Sequence, residues 1–330
     1  MQGSFIEDKP LIEERQPTLF QTAAWEQAWL ETWGQQLAKD PGIQLDHQSH
    51  SYHVTRRVKG LLPIRTATTI GCSERGVPSI RREYYRASVG QIKAQLQATT
   101  GQYVFSDVIL GSPTYHSITT QAQQQGLLVL EQDQAHAYSV NTSTNHYPSY
   151  LEQLSANTRP KLHNRRKRLT DSGTVSHADL WPDVDGFIEQ LNQFHQQRWG
   201  KPCYQGLNLA FIRKLLPLLE EEGHAVGLHC LAVDGRPVSL LLDIEVNSRI
   251  YNLQSGYEEQ FRPGLSLGTL HFGYRIEQAF ETPHIQAYDF MAGEGKNSNY
   301  KASLATQSCQ LVTLIAVKPY WLKLLYRLKS

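Results

Sequence analysis

Between Arg249 and Lys301 the apolar pattern changes from a strand period to a helix period and back. Arg249–Tyr257 alternates as a strand, and Phe261-Arg-Pro-Gly264-Leu-Ser-Leu-Gly268 follows as a glycine-bearing loop. The pattern then predicts a helix over Ser266–Phe280, a strand over Ile285–Met291 and a Gly-rich loop over Ala292–Lys301. A strand that feeds a glycine turn into a helix N-terminus is suited to anions. The first helical amides have no partner within the helix, and the helix dipole favours negative charge there. Arg262, Gly264, Leu265, Ser266, Leu267 and Gly268 are therefore the candidate pyrophosphate cradle.

The preceding chain reads as alternating helices and strands, which predicts a mixed α/β fold. Thr18–Trp33 is the first helix, with Thr22 as its cap, and Trp25, Trp29 and Trp33 recur on one face as core. Strands are expected at Ser51–Val58, Gly60–Thr68, Tyr103–Leu110, Leu127–Gln132 and Ala137–Val140. Helices are expected at Ile92–Thr99, Ser117–Gln125 and Ser149–Leu154. Pro160 then interrupts, because proline removes a donor and restricts the residue before it. A basic helix over Pro160–Thr170 carries Lys161, Arg165 and Arg168 on one face. Further helices cover Asp183–Trp199 and Phe211–Glu222. Strands over Ala225–Val233, Pro237–Val246 and Arg249–Tyr257 are joined by turns at Asp234-Gly235 and Asn247-Ser248. A last strand, Gln310–Val317, precedes a basic amphipathic tail, Pro319–Ser330.

The length of 330 residues predicts two domains, taken here as 1–140 and 141–330. A net charge of +1 gives no general attraction to nucleic acid. The four isolated cysteines fit reduced thiols, and no apolar leader is evident, so a cytoplasmic protein is expected. Met1–Pro17 reads as a loose lead-in. His47, His50 and His53 sit in an extended-looking segment and read as chance or surface histidines, so no metal is expected.

Chemistry concentrates in the second half. Asp243 and Glu245 share a strand face, and Asp289 ends the next strand, where open α/β sheets present ligand groups. Asp289 and then Glu245 are the candidate base or amine anchor, and Lys301 or Tyr300 the candidate proton donor. The basic helix, with Arg159 and Arg165, is a candidate patch for phosphates of a cofactor or an anionic substrate. Ala292–Lys301 is not a P-loop, since Phe290 and Asn297 stand where that pattern needs Gly and Ser or Thr. The tail sets Trp321, Leu322, Leu324, Leu325 and Leu328 against Lys323, Arg327 and Lys329; it can dock on the core or lie on an anionic membrane, placing the protein peripherally at the inner membrane face.

Four stretches together carry a resemblance that spans nearly the full chain. They are Leu19-Phe-Gln-Thr-Ala-Ala-Trp25 to Trp29, Ser155-Ala-Asn-Thr-Arg159 through Leu169, Asp234-Gly-Arg-Pro with Tyr251, Tyr257 and Pro263–Leu267, and Tyr288-Asp-Phe290 with Gly293 and Tyr300-Lys301. The chain resembles the FemAB-like or CelD-like acyltransferases of the GNAT superfamily. The resemblance implies tandem GNAT-like modules, each a mixed, mainly antiparallel twisted sheet flanked by helices, the first one degenerate. It implies acetyl-CoA or another acyl-CoA as co-substrate and transfer to a small-molecule or glycan amine, such as an amino sugar or another precursor of surface polysaccharide. Tyr251, Tyr257, Asp243, Arg159 and Arg165 are the expected substrate contacts. Phe261 departs from the motif, which carries Gln or Arg there, and Leu304 stands where an aromatic is frequent. Two alternatives stay open: a Fem-type ligase using aminoacyl-tRNA, against which the lack of a long heptad arm counts, and a binding module that kept the fold.

Overall fold

The computed structural model describes residues 17–58, 62–72, 89–144, 146–292 and 296–328. The chain opens with α1 (Ala23–Trp29), α2 (Gln35–Leu37), β1 (Ile43–Asp46), β2 (Ser51–Val58) and β3 (Leu62–Thr69). Next come α3 (Val89–Ala98), β4 (Gln102–Ile109), α4 (Pro113–Gln124), β5 (Leu128–Asn141) and α5 (Tyr147–Gln153). The middle holds α6 (Arg166–Thr170), β6 (Val175–Asp179), α7 (Val184–Trp199), α8 (Gly206–Glu221), β7 (Ala225–Val233) and β8 (Arg236–Val246). Last are β9 (Arg249–Tyr257), α9 (Leu267–Glu281), β10 (Ala287–Ala292), α10 (Lys296–Leu304), β11 (Gln307–Val317) and α11 (Tyr320–Arg327). No helix among the described residues is long and apolar enough to cross a membrane. The lead-in through residue 16 and Gly293 lie outside the described residues.

The contacts divide the chain into two compact units. One takes Ile12–His136, Ala210–Leu218 and Cys309–Ser330; the other takes Ala137–Leu209 and Leu219–Ser308. The tail thus packs with the first part of the chain. In the first unit the strand order is β1-β2-β3-β4-β11-β5, with β3–β4 parallel and β1–β2, β2–β3 and β4–β11 antiparallel. Tyr103 and Phe105 of β4, Val312 and Leu314 of β11, Ile92 and Leu96 of α3 and Ile118 of α4 form its core. The tryptophan stripe is buried as expected, and Trp25 Nε1 donates to Gly71 O at 3.1 Å.

The second unit orders its strands β5-β10-β9-β8-β7-β6, antiparallel except for β9–β10. Helix α9 covers one face. Its Phe272 and Ile276 pack with Leu241, Ile250, Tyr288 and Phe290 of the strands and Leu162 from the basic segment. Full burial of each such side chain is worth roughly 1.5–3 kcal/mol. Both units therefore have the mixed, mainly antiparallel sheet flanked by helices that the sequence predicts.

Several local expectations need correcting. The first helix is not continuous: a turn at Leu19–Gln21 is closed by Thr18 and Gln21, Thr22 caps α1, and a wide turn at Leu30–Gly34 follows. The two short strands expected around residues 127–140 are one strand, β5, because the ladder holds the polar stretch between them extended. Strand β6 was not legible, since four of its five residues are exposed and show no alternation. Helix α5 starts earlier than expected because Pro148 sits in its first turn, where proline is tolerated. The expected Gly-rich loop before Lys301 contains helix α10.

The basic helix is also broken. A wide turn, Pro160–Asn164, precedes Arg165 at φ −82°, ψ 4°, and only then does α6 begin. Gly273 and Glu277 of α9 lie against this break. Glu277 accepts from Arg166, and Tyr147 OH donates to Gly273 O at 3.1 Å. A Cβ on Gly273 would stand 2.1 Å from Leu162 O, so only glycine allows this approach. Gly273→Ala is expected to destabilise the protein by about 1–3 kcal/mol, as overpacking does, read as a lowered urea midpoint with an unchanged slope.

Candidate active site

The parallel ladder between β9 and β10 is short. Ala287 pairs with Arg249, Tyr288 with Ile250 and Asp289 with Tyr251, and there the pairing stops. Strand β9 runs on to Tyr257 and β10 to Ala292. The cause is visible on β10. Its pairing with β5 shifts register between Asp289 and Met291, and Met291 has φ +61°. Asp289 fixes the bulge: its carboxylate accepts from Arg249 Nη1 at 2.7 Å and from the Met291 amide at 2.7 Å. Beyond this point β9 has no β10 partner, although Ser255 O is already bonded to His195 Nε2 at 2.9 Å and Ser255 N donates to Gln254 Oε1 at 3.0 Å. Such an edge can bind an extended, amide-bearing ligand by adding to the sheet.

The glycine loop stands at the open end of β9. Gly264 has φ +78°, a conformation glycine adopts without strain. Three arginines stitch the loop to α6. Arg165 Nη1 donates to Gly264 O at 2.5 Å, and Arg168 Nη2 to Pro263 O at 3.3 Å. Arg262 reaches back to Arg168 O at 3.0 Å and Ser172 Oγ at 2.6 Å. Phe261 is not a ligand position here: it packs with Leu169, Leu265 and Leu267, anchoring the loop. The Ser266 and Thr269 hydroxyls bond each other at 3.0 Å. Among the described residues no side chain caps the first turn of α9, whose positive dipole end lies near the guanidinium groups that brace the loop.

Aromatic groups frame the mouth. The Tyr257 ring lies against Gly268, where an added Cβ would come within 2.6 Å. Arg198 of α7 stands 4.8 Å from the Tyr257 ring centre and pairs with Glu259 at 3.2 Å. Tyr300 of α10 stacks on Phe272. Burial, reinforced by the nearby Tyr257, pushes the Tyr300 hydroxyl up to about 12, while Arg198 opposes the rise. The Tyr300 hydroxyl is therefore protonated at neutral pH. Lys301 Nζ donates to the carbonyls of Met291 at 3.2 Å and Ala292 at 2.8 Å, beside the bulge.

The carboxylates are not brought to the loop. Asp289 is fully buried in its ion pair with Arg249. Glu245 pairs with Ile250 at the opposite end of β9, and its carboxylate meets His284 Nε2 at 2.8 Å. Asp243 is buried in the middle of the sheet. It accepts from Tyr288 OH at 2.9 Å, Asn252 Nδ2 at 2.8 Å and Arg275 Nε at 3.2 Å. His229 lies 3.8 Å from Asp243 and 3.9 Å from the partly exposed Asp179. Tyr251 is buried at the last paired position of β9. Arg159 donates to Glu152 O and Leu154 O at the end of α5, so it holds local backbone.

The sequence pattern missed Arg249, Asn252, His229 and Arg275. The available signal was a polar residue inside an otherwise apolar strand or helix face. Among the described residues no group of histidines, cysteines or carboxylates could hold a metal.

Comparison with known proteins agrees with this geometry at the level of the fold. Residues 156–302, fewer than half of the chain, match the model of an acetyltransferase (GNAT) domain. The match runs from before the broken basic segment into α10 and contains the loop, α9 and the gap. No curated protein matches the chain. Among solved structures, FemX is similar with a TM-score of 0.57 and 11% identity, covering 94% of this chain and 95% of that one. A conserved protein of unknown function from Bacteroides thetaiotaomicron has a TM-score of 0.53 and 10% identity, covering 89% and 90%. At these identities the likeness is one of fold alone.

Three neighbouring histidines, His271 buried, His229 partly buried and His177 on the exposed edge strand, are expected to make stability depend on pH. His271 donates to or accepts from Ser239 Oγ at 3.1 Å. Burial first, then the neighbouring His229, His177 and Arg275, hold its pKa well below the usual range. His229 and His177 are lowered in the same direction, chiefly by burial. The unfolded chain thus binds protons that the folded one refuses, so their contribution is complete above the unfolded histidine value of about 6.5 and is lost as pH falls below it. The urea midpoint is expected to drop between neutral and mildly acid pH, and His271→Asn to flatten that slope.

Proposed function

We propose that the second unit transfers an acyl group from an acyl-CoA thioester to an amine. The observation that carries this reading is the parting of β9 and β10 beyond Tyr251 and Asp289, directly beside an uncapped helix N-terminus and an arginine-braced glycine turn. The amides of α9's first turn and Arg262, Gly264, Leu265, Ser266, Leu267 and Gly268 would hold the pyrophosphate. The pantetheine arm would lie along the exposed edge of β9, with the thioester deep in the gap. The match of residues 156–302 to an acetyltransferase domain supports the same chemistry.

In the reaction the amine nitrogen bonds the acyl carbon, the carbon–sulfur bond breaks, and the departing thiolate needs a proton. Tyr300 is our choice of donor, because it is protonated at neutral pH and stands at the mouth. Lys301 fixes the Met291 and Ala292 carbonyls that end β10. Asp289 and Arg249 act by holding the bulge; breaking a buried ion pair of this kind costs about 3–5 kcal/mol. The acceptor must lose its ammonium proton, which titrates near ~10 when free. Amino sugars are the first acceptors to screen.

Acetyl-CoA or a longer acyl-CoA is expected to raise the melting temperature, since a ligand that binds only the folded state adds about 2.7 kcal/mol at a hundred times its dissociation constant. Gly264→Val, which strains the turn and crowds Arg168, is expected to abolish the shift while the protein stays folded. No shift with any acyl-CoA would sink the reading and direct the search to aminoacyl-tRNA. Once an acceptor is in hand, Tyr300→Phe should lower kcat by about 10²–10⁴ and leave acyl-CoA affinity unchanged; an unchanged kcat removes Tyr300 from the mechanism.

A further inference from the structure

The last helix of the first unit carries two apolar faces, and its own unit uses one. Leu322 is 2% exposed and packs with Ile315, Val317 and Tyr326. Ile64, Val104, Leu128 and Leu130 line the same cluster. Tyr326 OH donates to Gln102 Oε1 at 2.9 Å, and Lys323 Nζ donates to Gly126 O. These bonds seat α11 firmly with residues 322 and 326 inward.

The opposite face is apolar as well. Trp321, Leu324, Leu325 and Leu328 follow one another at steps of three, one and three residues, which makes a single stripe along a helix. Their exposures are 39%, 40%, 38% and 83%, and Tyr320 at the helix start is 74% exposed. Leu62, 49% exposed, lies on the same strand face as Ile64 and extends the apolar surface from the core cluster outward. This stripe is not needed to dock the helix, because the inner face already does that.

Charge identifies what would cover it. Lys318, Lys323 and Arg327 flank the stripe, and no Asp or Glu follows Glu294 in the sequence. A protein surface is ordinarily met by charges of both signs, whereas an anionic bilayer calls for cations alone around an apolar, Trp-bearing face. Long basic side chains can also keep their charge at the headgroups while their stems cover apolar surface. We infer that α11 is a peripheral membrane anchor that lies in the headgroup region of an anionic bilayer, with Trp321, Leu324, Leu325 and Leu328 inserted and Arg327 at the phosphates, while Lys318 and Lys323, which hold Gln97 O and Gly126 O, add positive charge nearby.

The test is co-sedimentation of the full chain with vesicles of phosphatidylcholine alone or of phosphatidylcholine with phosphatidylglycerol. Binding is expected to the anionic vesicles, to weaken strongly at high salt, and to be slight on neutral ones. Leu324→Ser with Leu325→Ser, which leaves Leu322 and Tyr326 in place, should lower the partition coefficient by more than about tenfold with the melting temperature unchanged. Arg327→Gln should lower it roughly fivefold. Lipids brominated in the acyl chain should quench tryptophan emission, and Trp321→Phe should remove that quenching while vesicle binding persists. Three vesicle results would overturn the inference. They are no binding to anionic vesicles, binding that ignores the α11 substitutions, and binding seen only after removal of residues 1–16, which would make that segment the natural cover. A dimer in solution that the serine variant dissociates would likewise assign the face to a second copy.

Discussion

The carboxylate of Asp289 accepts one hydrogen bond from Arg249 and one from the amide of Met291, both in the interior. Ionised groups are stable there only when paired, so the two strands that carry them must keep this register. The same carboxylate gathers the chain into a bulge, and a bulge bends its strand. The pairing with β5 resumes past it, whereas that of β10 with β9 does not. The candidate site thus begins beside this buried ion pair, where β9 and β10 part.

The loop that closes this opening depends on a second constraint, at the seam between α9 and the basic segment. A continuous helix over residues 160–170 would hold Arg165 and Arg168 on one face and Arg166 off it. The chain keeps that division across the wide turn and the non-helical Arg165. Arg166 turns inward to Glu277, Tyr147 and, 3.9 Å away, the Tyr274 ring. Arg165 and Arg168 turn outward to the glycine loop. One short segment therefore supplies both the clamp on α9 and the positive surround of its N-terminus. The residue at 273 must be glycine for the seam to close, which couples the loop to the packing of the whole helix.

The two ends of β9 do different work. At the Asn247-Ser248 turn Glu245 and His284 form a half-exposed pair, remote from the opening. At the other end Tyr257, Tyr300 and Arg198 meet around the first turn of α9. Between them Asp243 gathers Tyr288, Asn252 and Arg275 into a buried polar cluster. Such a cluster is stable only when each member is satisfied, so it fixes the stacking of α9 on the sheet as the apolar contacts alone would not.

The sequence by itself determined the element order, the glycine turn before α9, the antiparallel meander and the buried tryptophan stripe. Each of these rests on local period or on turn chemistry, which a chain carries with it wherever it folds. Strand β6 was hidden because an exposed edge strand need not alternate. The break in the basic helix was hidden because Pro160 permits either a kink or a start. Where each charge comes to lie depends on the tertiary structure. Asp289 and Glu245 read alike as carboxylates on strands, yet register put one inside an ion pair and the other at the far end of β9. The register depends on Arg249, forty residues from its partner, and no local pattern reports a pairing across that distance.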